Sequence, residues 1–183
     1  MTDFDMQAFA QEVHANAVAK GFWPEGGRPW GETISLIHSE LSEALEEHRA
    51  GRPRLWHAKE WRDRYGFEGN GCHEGLPTDG GKPEGWAVEL ADAAIRIIDT
   101  LAYEGLDCRP DDDQIYIDGL PERIAHAHCR ISEAWAHGMS DDGLYLRLAL
   151  SICLDTIGPD WPEILRAKHG YNLERPFLHN KTY

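Results

Sequence analysis

Two short acidic segments have the spacing of metal-binding carboxylates on helices. Glu40 and Glu43 form the first pair, and Glu89 and Asp92 form the second. Residues three apart lie on one face of an α-helix, about one turn from each other. Apolar residues flank both pairs, so the carboxylates border the helix face that turns inward, where unpaired like charges are costly. A divalent cation would stabilise such a group, and carboxylate oxygens with bound waters suit Mg²⁺ or Mn²⁺.

A single acidic pair of this kind more often belongs to a solvated helix face. Two pairs on successive helices, both beside an apolar stripe, favour a shared cation site between helices that pack antiparallel. A di-iron centre is not indicated, because neither helix carries the Glu-x-x-His motif that such bundles use. Glu46 continues the row of Glu43 by one turn, and we expect it to be a solvated charge near the helix end.

Apolar residues follow a helical period over almost the whole chain, which predicts an all-α helical bundle. The predicted helices cover residues 5–20, about 33–50, 84–104, 120–137, 141–157 and 160–169. Thr33 is a candidate N-cap of the second helix, which would end near Gly51. The glycine-rich segment 66–85 predicts a long irregular loop, either a lid over a substrate or a disordered insertion. Only residues 114–118 alternate like a strand, and that run is too short to predict one.

Composition limits the classes of protein to which the chain can belong. It has 183 residues, a formal net charge of −14 at pH 7 and 42% hydrophobic residues, which indicates one globular domain. The negative charge disfavours a nucleic-acid partner, since phosphate backbones bind basic surfaces. The four cysteines contain no Cys-x-x-Cys pair, which argues against structural zinc. Without a signal-peptide pattern or a membrane-length apolar run, we expect a cytoplasmic protein that does not enter a membrane.

Several segments together resemble one family. The runs Ile37–Glu46 and Gly85–Asp99, with their two acidic motifs, resemble the MazG-like branch of the all-α nucleoside triphosphate pyrophosphohydrolases, a superfamily that also contains the dimeric dUTPases. Lys168–Pro176 is similar to the K-x-x-Y-N-x-x-R-P tail of that family. Gly21–Trp23, together with the preceding helix that carries His14 and Asn16, is similar to the family's opening helix and loop.

The resemblance implies Mg²⁺-dependent hydrolysis of a nucleoside triphosphate to a monophosphate and pyrophosphate. The positions that match the family's metal ligands are Glu40, Glu43, Glu89 and Asp92. Glu40 or Glu43 would also orient or deprotonate the attacking water. The positions that match its binding of triphosphate or base are Lys168, Asn172 and Arg175. Trp23 or Trp30 would stack on a base, or else act as an aromatic wedge that closes the bundle.

Three residues beside the motifs have expected roles of their own. Arg96 follows Asp92 by one helical turn, and we expect the two side chains to form a structural pair. Asp99 lies on the same helix face as Asp92. His38 has apolar neighbours and is interpreted as a packing residue near the acidic motif.

The second half of the chain is similar to a degenerate repeat of the first. Residues 124–134 repeat residues 34–44 in the positions of Ile, His, Ser, Glu and Ala, and 154–157 repeat 98–101. In this alignment the four carboxylates correspond to Arg130, Glu133, Tyr145 and Leu148. We therefore expect one domain over 1–183, with an active half at about 5–108, a degenerate half at about 118–160 and a basic substrate-binding tail at 165–183. Chance similarity between amphipathic helices is the alternative.

Two classes of function stay open in the sequence. The first is the hydrolase, acting on a nucleoside triphosphate whose base and sugar the sequence does not specify. The second is a non-catalytic helical module that binds a nucleotide or another protein. An isologous homodimer is compatible with either class.

Overall fold

The structure is a computed structural model that describes residues 4–62, 68–78, 81–111, 117–139 and 141–177. Its helices are α1 (Met6–Ala19), α2 (Trp30–Arg49), α3 (Trp86–Tyr103), α4 (Leu120–His137), α5 (Leu144–Ile157) and α6 (Trp161–Glu174). Its strands are β1 (Trp56–Arg62), β2 (Glu68–Glu74) and β3 (Pro83–Glu84). The fold is mostly helical, as the sequence predicts, but it also contains a small sheet that the all-α prediction lacks.

Helix α3 is the central element and packs against α1, α2, α5 and α6. Most of its residues are buried, and its many alanines let neighbouring helices approach closely. Gly85 precedes the helix with φ of 109°, and a Cβ there would lie 2.6 Å from the carbonyl oxygen of Arg54. Only glycine fits this conformation and this contact. The glycine therefore fixes where α3 begins and places Glu89 in its first turn.

Four helices form two neighbouring pairs. Helix α2 packs against α3, and helix α4 packs against α5. The two pairs then meet through contacts of α2 with α4 and of α3 with α5. Helices α1 and α6 both pack against α3. Helix α3 is therefore enclosed more completely than any helix of the second pair.

His38 and His128 meet where α2 packs against α4. Their Nδ1 atoms are 2.7 Å apart, and their rings stack with centroids 4.9 Å apart. These residues occupy the same position in the repeat alignment. Contact between equivalent residues is the geometry of a twofold axis, where each side presents the same residue to the other. The helix packing supports an internal duplication, which stays a prediction.

The sheet joins the C-terminal end of α2 to the start of α3. Its strand order is β2-β1-β3, and both pairings are antiparallel, with Trp56 opposite Glu74 on one side and Glu84 on the other. The sequence predicts an irregular loop over 66–85, and this is wrong for β2 and β3. Glycine and charged residues in β2 have poor strand propensity, so its extended form depends on backbone pairing with β1. Residues 63–67, 79–80 and most of 114–118 lie outside the described residues.

Helix ends differ from the predicted ones in two places that matter for the site. Helix α2 begins at Trp30 after the N-cap Pro29, so Thr33 is a buried residue inside the helix. Helix α6 continues to Glu174 and so carries Lys168 and Asn172, four residues apart, on one face. No helix in the described ranges has the length and apolar character needed to cross a bilayer.

Candidate functional site

Three of the four predicted carboxylates converge between α2 and α3. Glu40, Glu89 and Asp92 each offer one oxygen, and these oxygens all lie within 4.8 Å of one another. Glu40 and Glu89 are each 7% exposed, and Asp92 is partly buried. Glu89 and Asp92 share a face of α3 because they are three residues apart, and Glu40 reaches them from the inward face of α2. We call these residues the carboxylate cluster.

The cluster has dimensions close to those of a divalent-cation site. Mg²⁺–oxygen bonds of about 2.1 Å place adjacent ligands of an octahedron roughly 3 Å apart and opposite ligands roughly 4.2 Å apart. The three oxygens lie within 4.8 Å of one another, so they would move closer together to bind one ion. Three hard oxygen donors that would otherwise repel one another fit Mg²⁺ or Mn²⁺ in charge and in chemistry.

Glu43, the fourth predicted carboxylate, lies at the rim rather than in the cluster. It is exposed, and its Oε1 accepts a hydrogen bond of 3.2 Å from Ser39 Oγ. Its charge is nevertheless close enough to raise the pKa of both Glu40 and Glu89. Glu43 therefore has access to solvent and lies near the cluster. This position suits a residue that orients or deprotonates a water molecule.

Helix α6 supplies a cation to the cluster from the tail motif. Lys168 is only 2% exposed, and its Nζ lies 2.8 Å from Asp92 Oδ2. Asn172 Nδ2 donates to the other oxygen, Asp92 Oδ1, at 3.3 Å. The structure thus brings two of the predicted tail residues onto one predicted metal ligand.

Arg96 supplies the second cation. It reaches across to α2 and binds Glu40. Its Nε donates to Glu40 Oε1 at 2.7 Å, and a terminal nitrogen lies 2.6 Å from the same oxygen. The charge of Arg96 also lowers the pKa of Asp92 on its own helix, and the predicted pair with Asp92 stays a prediction. Glu40 on the facing helix is a further partner, which spacing along one helix does not reveal. Three carboxylates are therefore opposed by two cationic side chains.

Burial and mutual repulsion set the protonation of the cluster. Burial is the main cause that raises the pKa of Glu89 to about 7, helped by Asp92 and opposed by Lys168. Burial also raises the pKa of Glu40, although Arg96 counteracts it. Burial alone would raise the pKa of Asp92 as well, but Lys168 holds it below its usual range. Burial opposes the charge on Lys168, yet Asp92 and Glu89 keep its pKa above the usual value.

A cleft opens directly beside Asp92, between α1, α3 and α6. Its enclosed part has a volume of about 70 Å³, enough for an ion and a few waters. Three arginines line it, Arg28, Arg96 and Arg175, together with Asn172. Arg175 is thereby placed at the cleft, as predicted for a substrate-binding residue. Arg28 was missed, because an arginine in a glycine-rich loop has no spacing pattern that points to a site.

Trp23 lies away from the carboxylate cluster. Its indole stacks on Tyr103 at 3.8 Å between ring centroids and donates to both oxygens of the buried Asp99, at 3.0 and 2.9 Å. His14 Nδ1 lies 2.7 Å from the same carboxylate. Trp23 lines a neighbouring cavity of about 150 Å³, which Trp30 also lines, rather than the cleft beside Asp92. This packing favours the aromatic-wedge interpretation over a base-stacking role.

The corresponding positions of α4 and α5 carry no such cluster. Arg130 pairs with Glu133 at 2.6 Å, Tyr145 stacks on His137, and Leu148 is buried. Within the described part of the chain, the carboxylate cluster is the one group of three or more ligand side chains with metal-binding spacing.

Comparisons with protein-family models, with curated proteins and with solved structures give no match to this chain.

Proposed function

We propose that the chain is a Mg²⁺-dependent hydrolase that converts a nucleoside or deoxynucleoside triphosphate to the monophosphate and pyrophosphate. The observation that carries this proposal is the convergence of Glu40, Glu89 and Asp92 within 4.8 Å, beside a cleft that three arginines help to line. Carboxylates hold a cation, and guanidinium groups hold phosphate oxygens. A polyphosphate with a bound metal ion is one of few ligands that need carboxylates and guanidinium groups side by side.

In this proposal, each group of residues has a separate task. Bound Mg²⁺ would neutralise phosphate charge and lower the pKa of a coordinated water. Glu43, exposed at the rim, orients or deprotonates the attacking water, a role that Glu40 shares in the sequence-based hypothesis. Arg175 and Arg96 stabilise the negative charge that develops on the phosphates. Lys168 is too deeply buried against Asp92 to reach solvent, so it keeps the Asp92 carboxylate ionised and oriented.

The resemblance to the MazG-like pyrophosphohydrolases supports the same reaction, and membership of that family is part of the proposal. The enclosed part of the cleft is too small for a whole nucleotide, so the substrate would extend along its open side. We place the reaction in the cytoplasm, since all four cysteines are unpaired thiols. Nucleic acid and membranes are not among the proposed partners, and a homodimer is compatible with the site.

A panel of ribo- and deoxynucleoside triphosphates, incubated with Mg²⁺ and followed by pyrophosphate release, tests the proposal. We expect turnover of at least one nucleotide, loss of turnover with EDTA, and loss in Asp92→Asn. Glu133→Gln is the control in the second half, because Glu133 corresponds to Glu43 and is the one acid kept at the four aligned positions. No turnover of any nucleotide by a folded protein that binds Mg²⁺ would disprove the hydrolase.

The alternative is a non-catalytic module that binds a nucleotide or another protein. One observation favours it: Arg96 and Lys168 already neutralise two of the three carboxylates. A cluster stabilised entirely in this way would gain nothing from a metal ion. Thermal melting with and without Mg²⁺ separates the two, because a ligand that binds only the folded state raises the melting temperature.

A further inference from the structure

Arg96 is a cationic side chain that joins the carboxylate cluster to the cleft. Its guanidinium binds Glu40 Oε1 through two nitrogens, at 2.6 and 2.7 Å, and the same side chain lines the cleft. The side chain is 27% exposed, against 9% for that of Glu40. Arg96 thus extends from a buried carboxylate to a surface where an anion would bind.

We propose that Arg96 is a counter-ion that changes partner: it neutralises Glu40 in the metal-free protein and turns to the phosphates of the substrate once a divalent cation occupies Glu40. This inference rests on the proposed function and adds a coupling between its two ligands. Metal and polyphosphate would each favour the binding of the other, because both favour the same position of one guanidinium group.

The charges at the site give the physical reason. Without metal, Glu40 is a buried carboxylate, and losing Arg96, the one cationic residue of α3, would leave that charge uncompensated. A divalent cation bound to Glu40 cancels the carboxylate charge and reduces the attraction that holds the guanidinium there. Phosphate oxygens in the cleft then offer the stronger, bidentate partner.

The other cations of the site have contacts that suit them less for this role. Lys168 is 2% exposed, binds Asp92 and does not line the cleft. Arg28 lines the cleft, but it pairs with Glu32 and donates to the carbonyl oxygen of Phe22, outside the cluster. Arg175 lines the cleft from the end of α6. Arg96 alone among these four combines a contact to the cluster with a place in the cleft.

Melting temperatures of wild type and Arg96→Gln, each measured in EDTA and in saturating Mg²⁺, test the proposal. In EDTA the variant should melt about 6 °C or more below wild type, since Glu40 loses its counter-ion. In Mg²⁺ this deficit should fall to less than half, because the metal replaces the lost charge. A purely structural arginine predicts the same deficit in both conditions, and that result would overturn the proposal.

Arg96→Lys keeps the test decisive if Arg96→Gln does not fold. A lysine keeps the charge on Glu40 but loses the planar fork that binds phosphate at two points. We expect a metal-free melting temperature within about 3 °C of wild type, together with a KM for the best nucleotide raised about tenfold. An unchanged KM in this variant would contradict the phosphate half of the proposal.

Arg52→Gln is the matched control, because Arg52 pairs with Glu47 at 3.1 Å but lies outside the cleft. It should change neither the Mg²⁺ dependence of melting nor the KM. Failure of the proposed function looks different from failure of this inference. If Mg²⁺ does not raise the melting temperature of wild type, the metal site itself is wrong. If Mg²⁺ stabilises wild type while the Arg96→Gln deficit stays constant, only the role of Arg96 is wrong.

Discussion

The helix pair α2–α3 and the helix pair α4–α5 both pack on apolar residues but carry different polar side chains. The two pairs meet through contacts that include that of His38 with His128. Between α2 and α3 lie three carboxylates, whereas the positions that the repeat alignment matches to them in the second pair hold an arginine, a tyrosine and a leucine. If the two pairs are copies of one unit, the apolar positions have kept the helix packing while the polar positions have changed.

The two helix pairs also differ in the side chains that balance their charges. In the first pair, Asp92 is held by Lys168 and Asn172 from α6. In the second pair, Arg130 and Glu133 satisfy each other within α4. The excess negative charge of the first pair requires side chains from a further helix and, in our proposal, a metal ion. The Arg130–Glu133 pair requires neither, because its charges balance.

The largest expected difference between the pairs is in activity. Glu89→Gln should lower kcat/KM for the best nucleotide by about 10³-fold or more, since it removes several kcal/mol of metal-mediated stabilisation of the transition state. Tyr145→Phe, at the equivalent position of α5, should change it less than twofold. Steady-state pyrophosphate release measures both. Comparable losses in the two variants would mean that the second half also takes part in catalysis.

The next largest difference is in the cost of removing a cation. Lys168→Met leaves the Asp92 charge buried without its ion-pair partner, and we expect a loss of about 3–5 kcal/mol in the free energy of unfolding. Arg130→Met should cost less than about 1 kcal/mol, because its pair with Glu133 is partly exposed. Urea denaturation in EDTA measures both. The double variant Lys168→Met/Asp92→Asn should recover part of the loss.

Titration of Glu89 should give the first pair a pH dependence that the second lacks. Its pKa of about 7 in the folded protein lies above the ordinary value of 4.5, so the folded state holds the proton that the unfolded state releases. The metal-free protein should therefore lose stability as the pH rises from about 4.5 to 7, by up to about 3 kcal/mol, and level off above that. The difference in unfolding free energy between wild type and Glu89→Gln, measured by urea at each pH in EDTA, isolates this contribution. A difference that does not vary with pH would show that Glu89 titrates normally.

The smallest expected effect concerns the contact that the two pairs share. A double-mutant cycle of His38→Ala and His128→Ala should give a coupling energy of about 1 kcal/mol in stability, as for neighbouring residues in contact. The cycle is measured by urea denaturation at pH 8, where burial keeps both imidazoles neutral by lowering the pKa of each. Additive losses would indicate that the two rings do not interact.

Sequence periodicity predicts the helices well, because each apolar stripe has an α-helical period along the chain. It also identifies Glu40, Glu89 and Asp92 as neighbours, since two motifs on adjacent helices can meet in few ways. It fails for β2, whose extended form comes from pairing with β1 rather than from its own residues. It also misses the contact of Arg96 with Glu40, because that partner lies on another helix and no pattern within α3 encodes the contact. Arg28 is missed as a cleft residue, since nothing in its loop sequence marks it.

The order of α3 and α6 along the chain has a consequence for synthesis. Helices α2 and α3 leave the ribosome well before α6, so the nascent chain contains all three acids and Arg96 before it contains Lys168. During that interval Asp92 lacks the lysine with which it pairs in the folded protein. The first helix pair therefore gains this counter-charge only once α6 has been translated.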